Sequence, residues 1–312
     1  MQIKTIRKII EKKINEWIET ITDVDLKKNL KNNVLVTGGC ITSMLLNLKV
    51  NDFDIYIKDY DILLNLIKYY TKNTLPSSFK GHDIILDGRK KDYYDEYLKN
   101  REDFNLDEKD NAAYSVALRT LKSDQIKIFT LYGGTKVNTS KEEKDLNYDP
   151  IFISPNAISL FNNIQIVIRF WGDSNEIHKS FDYIHATNYW TNKEGLVTNV
   201  AALESILTMQ LRYNGSLYPV TSIIRMKKFL KRNWNISAGE ILKILFQVSQ
   251  LNLSDPDVLE EQLIGVDVAY FGKLIEVLRS VDKEIIDSHY LNTIIDRVFN
   301  DYEETNEQEE KH

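Results

Sequence analysis

The sequence of 312 residues contains little of what a membrane-spanning, secreted or zinc-binding protein needs. No apolar run approaches the ~18 residues of a membrane span, and segment 1–17 lacks the uninterrupted apolar core of a secretory signal. The single cysteine, Cys40, excludes an internal disulfide and indicates a reducing compartment, so we expect a cytoplasmic protein without a membrane partner. The five histidines are scattered, and none stands at a zinc-ligand spacing from Cys40.

The net charge of −6 does not favour a nucleic-acid partner at first sight. Six acidic residues and one lysine in segment 301–312 contribute −5, so we expect a disordered acidic tail and a nearly neutral folded part. The charge therefore neither supports nor excludes RNA binding. Abundant lysine, asparagine and isoleucine are typical of AT-rich genomes, including those of many phages, for which the compartment would be the host cytoplasm.

Apolar periodicity predicts an α+β fold, in which a head with a small mixed sheet flanked by helices precedes an all-helical domain. The expected elements are helices over 3–21, 40–48 and up to 70, strands over 34–36, 52–57, 164–170 and 181–190, and helices over most of 196–300. The polar stretch 75–150, with possible strands at 83–86 and 125–131 and possible helices near 93–100 and 112–121, is interpreted as an insertion or an elaborated edge. The predicted domains are therefore a head over 1–195, a helical domain over 196–300 and the tail 301–312.

A glycine pair separates the first predicted strand from a short predicted helix. It lacks the third glycine of a dinucleotide-binding turn, since Ser43 and Met44 stand there, and it lacks the Gly-Lys-Ser/Thr ending of a P-loop. The remaining interpretations are an ordinary tight turn, or a turn at Gly38 and Gly39 whose backbone N–H groups face an anion. In the second case the Ser43 hydroxyl would add a phosphate contact.

Two aspartates stand one residue apart on the next predicted strand. Because side chains alternate along a strand, Asp52, Asp54 and Tyr56 share one face and the apolar residues between them share the other. Two carboxylates this close repel each other unless a cation lies between them, and Mg²⁺ prefers such oxygen ligands. A glycine turn beside this acid pair predicts metal-dependent nucleotidyl transfer.

Segment 34–58 resembles the head of DNA polymerase β-type nucleotidyltransferases, nearest to the CCA-adding enzyme and bacterial poly(A) polymerase branch. That branch reads Gly-Gly-x-x-Arg-Asp-x-Leu-Leu-Gly-x-x-x-x-Asp-x-Asp. The matching positions here are Gly38, Gly39, Leu45, Leu46, Asp52 and Asp54. Thr42 and Ser43 replace the Arg-Asp pair, and Asn47 replaces the later glycine, so the resemblance indicates the superfamily more firmly than the branch.

The resemblance implies a third metal carboxylate on a neighbouring strand, between apolar residues. Asp182 fits that context, and Asp83 and Asp87 are the alternatives. Two Mg²⁺ ions, replaceable by Mn²⁺, would then be held by Asp52, Asp54 and Asp182 as the catalytic and metal-binding residues.

Two further residues in the predicted strands 164–170 and 181–190 could belong to the site. Arg169 is expected across a hairpin from Asp182 and is a candidate for binding the triphosphate, with a structural ion pair as the alternative. His185 is expected on the strand face opposite Asp182 and is therefore not expected to be a ligand.

The densest basic stretch, IIRMKKFLKRNWNI, is similar to the Arg-x-x-Arg-Phe segment that follows the head in the same branch. Arg225, Lys228 and Phe229 stand at those positions. The candidates for binding nucleic-acid phosphates are Arg225, Lys227, Lys228, Lys231 and Arg232. A solvated basic helix face is the alternative interpretation.

The resemblance implies an enzyme that moves NMP from an NTP, with ATP or CTP favoured, to an acceptor hydroxyl and releases pyrophosphate. Template-independent addition to an RNA 3′ end is the expected reaction. The alternatives are an adenylyltransferase that modifies a protein or small molecule, and an inactive head that binds nucleotide or RNA. The oligomeric state and the number of nucleotides added are left open.

Overall fold

The computed structural model describes residues 1–71, 85–87, 126–128, 135–137, 147–154 and 156–253, together with 255, 258, 259, 262 and 263. The helices are α1 (Ile3–Thr20), α2 (Val24–Asn33), α3 (Gly39–Leu45), α4 (Tyr60–Thr71), α5 (Ser174–Lys179), α6 (Val200–Thr208), α7 (Pro219–Lys231) and α8 (Ala238–Val248). The strands are β1 (Val34–Thr37), β2 (Phe53–Ile57), β3 (Ile85–Asp87), β4 (Ile126–Ile128), β5 (Thr135–Lys136), β6 (Pro150–Ile153), β7 (Ala157–Leu160), β8 (Ile164–Val167), β9 (Tyr189–Thr191), β10 (Gly195–Val197), β11 (Gln210–Leu211) and β12 (Asn235–Ile236).

The main sheet has eight strands in the order β10-β9-β1-β2-β8-β7-β6-β5. Its neighbours are antiparallel except for the parallel pair β2 and β8, so the sheet is mixed as predicted. The two strands of the glycine and aspartate motif are adjacent at its centre, with Val36 opposite Ile55. Because β1 and β2 are antiparallel, the end of β1 lies beside the start of β2, which brings the glycine turn to the acid pair.

The core lies on one face of the sheet. The predicted stripe of α1 is confirmed: Ile6, Ile10 and Trp17 are fully buried there. Phe53, Ile55 and Ile57 of β2 point into the same core, whereas Tyr56 packs on the opposite face with Leu35 and Ile177. Burying one such isoleucine side chain contributes about 1.5–3 kcal/mol, and this alternation turns Asp54 away from the core.

Helix boundaries follow local capping signals. The Asp59 carboxylate accepts a hydrogen bond from the Ile62 N–H at 3.0 Å at the start of α4. Pro219 is the first residue of α7, where its missing N–H costs nothing.

The second part of the chain packs α6, α7 and α8 around a cluster that includes Tyr183, Ile206 and Trp234. It also contains the two-stranded parallel pair β11 and β12, a strand element within the region predicted to be all helical. The fold class is otherwise as predicted, an α+β head followed by a helical part.

The predicted strand over 181–190 is wrong over most of its length. Residues 184–186 form a single 3-10 turn, and only Tyr189–Thr191 are a strand, β9. The residues before the turn pair instead with the helical part, because Asn214 N–H donates to Asp182 O at 2.8 Å and Ile184 N–H donates to Arg212 O at 3.1 Å. Helix α5 stands between β8 and this segment, so the predicted hairpin does not form.

Several predictions fall on residues that are not described, namely the helices at 93–100 and 112–121, Asp83, and the segments 264–300 and 301–312. The predicted strands at 83–86 and 125–131 appear as β3 and β4, which pair with each other outside the main sheet. Asp87, an alternative third ligand, ends β3. Within the described part of the chain, no helix combines the length and apolar character needed to cross a membrane.

Candidate active site

The glycine turn and the second aspartate lie in direct contact. Gly38 adopts φ +98°, and a Cβ at this position would stand 3.0 Å from Asp54 Oδ2. Its N–H donates to Ala186 O at 3.1 Å. Gly39 is exposed, and a Cβ there would meet no atom within 4 Å. Gly38 is therefore required by the close approach of the carboxylate, whereas Gly39 leaves open space beside it.

Asp52 and Asp54 form a pair of interacting acids. Burial and then the negative charge of Asp52 raise the pKa of Asp54 to about 7, against the opposing charge of Arg225. Desolvation also raises the pKa of Asp52, and the Lys228 ammonium opposes that shift. A cation of α7 therefore lowers the pKa of each acid, but the repulsion from Asp52 still raises the pKa of Asp54.

This pair suits a divalent cation, because two hard oxygen donors repel each other at one site and a Mg²⁺ or Mn²⁺ ion would relieve that repulsion. Asp52 and Asp54 are the residues that would hold it. In the described part of the chain, no three His, Cys, Asp or Glu side chains come close enough together to share one ion.

Asp182 is placed differently from the expectation. It lies in a loop rather than on a strand, it is 8% exposed, and its Oδ2 accepts a hydrogen bond from Arg225 Nη1 at 2.8 Å. Burial raises the pKa of Tyr56, and the negative charges of Asp54 and Asp182 both add to that rise. Asp182 is therefore near the acid pair but is held by a guanidinium. Its role as a third metal ligand stays a prediction.

The nucleotide-binding candidates Ser43 and Arg169 have different surroundings. Ser43 is half-buried in α3, within the turn that follows the glycine pair. Arg169 is 3% exposed, and its guanidinium lies 4.7 Å from the ring centroid of Tyr218. Such burial favours a structural role, and triphosphate binding by Arg169 stays a prediction. Arg169 follows β8, away from any hairpin with Asp182.

Of the five basic candidates, four lie on α7 and Arg232 directly follows it. Arg225 and Lys228 act on the acids, as their effects on Asp54 and Asp52 show. The other three, Lys227, Lys231 and Arg232, are exposed, and so is Lys228. At 100° per residue the four positions on α7 form one continuous arc around the helix, running from Arg225 through Lys228 and Lys231 to Lys227.

Two histidines near the glycine turn are neutral at physiological pH. His178 Nε2 lies 2.9 Å from Thr37 Oγ1, and burial lowers the pKa of His178 to about 4. His185 is 2% exposed, packs against Phe229 and Trp234 with ring centroids at 4.5 and 4.7 Å, and has its pKa lowered to about 4 by burial. Neither histidine lies in a metal-binding group.

Sequence reasoning missed His178 and the ion pair of Arg225 with Asp182. No local pattern marks His178, because its partner Thr37 is 141 residues away. Arg225 was predicted to bind nucleic-acid phosphates because its neighbours in the sequence are basic. A signal was available in the i, i+3 spacing of Arg225 and Lys228, which places both on one helix face.

Residues 8–209, more than half of the chain, match the Gabija anti-defense 2 family. The chain belongs to that family. A relative described as Gabija anti-defense 2, from Bacillus phage SPbetaL7, is 22% identical over 152 residues. That alignment covers 45% of this chain and 38% of the relative.

Solved structures similar to this fold are CCA-adding enzymes. The Thermotoga maritima enzyme complexed with tRNA is 12% identical at a TM-score of 0.37, covering 85% of this chain and 54% of that one. The Bacillus stearothermophilus enzyme in complex with CTP is 10% identical at a TM-score of 0.36, covering 84% and 51%. Both are enzymes of the group that segment 34–58 resembles. This chain spans about half the length of these enzymes.

Proposed function

We propose that this Gabija anti-defense 2 family protein is a nucleotidyltransferase that moves NMP from an NTP to an acceptor hydroxyl and releases pyrophosphate. The observation that carries this proposal is the contact of Gly38 with the Asp54 carboxylate beside Asp52. A phosphate chain lying along the glycine turn would meet the two acids at its inner end. Phosphoryl transfer needs mainly such positioning together with charge stabilisation.

The proposed roles of the site residues follow from their charge and position. Asp52 and Asp54 would hold Mg²⁺, which when bound neutralises phosphate charge and activates the attacking hydroxyl. Gly39 and Ser43 would bind the β- and γ-phosphates, since the space beside Gly39 is open. The positive charge of Lys228 acts on Asp52 and would add to the attraction for phosphate. ATP or CTP is the expected donor.

An RNA 3′ end is the first candidate acceptor. The basic arc of α7 begins with Arg225 at the acids and continues to the exposed Lys231 and Lys227. A polyanionic strand following this arc would have its end at the acid pair, and each phosphate contact would contribute by counterion release.

A component of a bacterial defence system is the second candidate acceptor. Membership of the Gabija anti-defense 2 family supports it, as does the replacement of the Arg-Asp pair by Thr42 and Ser43. In this case the protein would transfer NMP to a protein side chain inside the host cytoplasm and so counter Gabija.

The test is incubation of the purified protein with each NTP labelled at the α-phosphate, Mg²⁺, and either total RNA or a lysate of Gabija-carrying cells. Label in RNA supports the first acceptor, and label in a protein supports the second. Loss of a residue that only hydrogen-bonds to a metal ligand lowers activity by roughly 10–100-fold. Asp52→Asn and Asp54→Asn remove proposed ligands, so each should lower the rate of transfer by more than that. Transfer at the wild-type rate in either variant would exclude this site as the catalytic one.

A further inference from the structure

The segment 182–188 holds the glycine turn in place by its backbone carbonyls. Gly38 N–H donates to Ala186 O at 3.1 Å, and the Thr42 hydroxyl donates to His185 O at 2.9 Å. The turn and the helix after it are therefore bonded to a segment that is more than 140 residues away in sequence.

The same segment is bonded on its other side to α7. Arg225 Nη1 donates to Asp182 Oδ2 at 2.8 Å, and the Tyr183 hydroxyl donates to Ser222 O at 2.8 Å. The Asp182 side chain is 11% exposed, whereas that of Arg225 is 43% exposed. Because a buried carboxylate needs a charged or hydrogen-bonding partner, loss of the guanidinium would force Asp182 and its segment to rearrange.

We propose that Asp182 and Arg225 form a clasp that fixes the segment 182–188 and, through it, the position of the glycine turn beside Asp54. Both are then positioning residues for the nucleotide, and Asp182 does not bind the metal. The effect of the clasp on catalysis rests on the proposed nucleotidyltransferase function. The mechanical link between α7 and the glycine turn stands on the contacts themselves.

Hydrogen exchange of the Gly38 amide tests the mechanical link without any reaction. Arg225→Met and Asp182→Asn should both speed exchange in the segment that contains Gly38, because its acceptor Ala186 O loses its fixed position. Arg212→Met is the matched control, since Arg212 forms an exposed ion pair with Glu204 at 2.9 Å in the same helical part. Unchanged exchange at Gly38, or equal acceleration in the control, would refute the clasp.

Arg225→Lys keeps the charge but not the planar fork of donors, so it should give exchange between wild type and Arg225→Met. If the methionine or asparagine variant does not fold, the lysine variant takes its place. Exchange in Arg225→Lys identical to wild type would then refute the clasp.

Metal affinity separates positioning from ligation. Asp182→Asn should bind Mn²⁺ within about threefold of wild type, and Asp54→Asn should lose more than about tenfold. The KM for NTP should rise by about 10–100-fold in Asp182→Asn and Arg225→Met, with a smaller change in kcat. Loss of Mn²⁺ affinity in Asp182→Asn equal to that in Asp54→Asn would make Asp182 a ligand. Absence of NMP transfer in the wild type would end the proposed function but leave the exchange result valid.

Discussion

Gly38 is the residue on which the geometry of the site depends most directly. Its φ of +98° with ψ of −153° is a backbone conformation that other residues rarely adopt. A Cβ at this position would also lie only 3.0 Å from Asp54 Oδ2. Gly39 has neither constraint. The two glycines thus serve different purposes, although they look equivalent in the sequence.

Gly38→Ala should lower the free energy of unfolding by about 1–3 kcal/mol, because it forces a side chain into that backbone conformation and against Asp54. Gly39→Ala is the control and should leave stability within about 0.5 kcal/mol of wild type. Urea unfolding of both variants measures the difference. Equal stability of the two would show that the turn adapts to a Cβ.

His185 should make the protein less stable in acid. Its folded pKa of about 4 lies below the ordinary 6.5, so the unfolded chain binds the extra proton first as pH falls. The stabilisation is complete above about pH 6.5 and is lost as pH falls towards about 4. His185→Phe should remove roughly 2 kcal/mol of this pH dependence between pH 7 and pH 4.5. Unfolding free energies at pH 7 and pH 4.5 measure it, and parallel curves for both proteins would contradict the assignment.

At the scale of elements, β1, β2 and α7 define the site. The first two are local in sequence, and their alternation predicted correctly that Phe53, Ile55 and Ile57 enter the core and that Tyr56 lies on the other face. Asp52, which was predicted on the same strand, directly precedes it. The segment 181–190 was predicted wrongly, because its alternating residues suit a strand but its hydrogen-bonding partners lie at 212–214. Periodicity reports which residues are buried, and it does not report what covers them.

Helix α7 should contribute salt-dependent binding to a polyanion. Lys227→Gln combined with Lys231→Gln should reduce the slope of log affinity against log salt for single-stranded RNA by about 1.4, that is about 0.7 for each contact. Lys8→Gln combined with Lys12→Gln on α1 is the control, since both lysines are exposed there. An unchanged slope in the α7 variant would show that RNA does not bind along these lysines, and it would favour the protein acceptor.

At the scale of the whole molecule, the head is completed by the helical part. Tyr183 and His185 pack on Phe229 and Trp234, and Asp182 is bonded to Arg225. The boundary predicted at residue 195 therefore separates groups that form one hydrophobic cluster. A division there would expose aromatic surface and an unpaired carboxylate.

A chain ending at residue 198 should accordingly lose cooperative unfolding and bind a hydrophobic dye. The full chain is the reference. Circular dichroism melting and dye fluorescence measure the two properties. A cooperative transition in the shortened chain, without dye binding, would show that the head folds by itself.

The glycine turn, the acid pair and the two faces of β2 were determined by the sequence alone, because each depends on residues within about one turn or strand of one another. The third acid shows the limit of that reasoning. Asp182 and Arg225 are 43 residues apart, and only the packing of α7 against the segment 182–188 brings them together. Whether Asp182 faces a metal or a guanidinium was thus decided by tertiary structure, since the sequence around an acid does not specify which distant charge neutralises it.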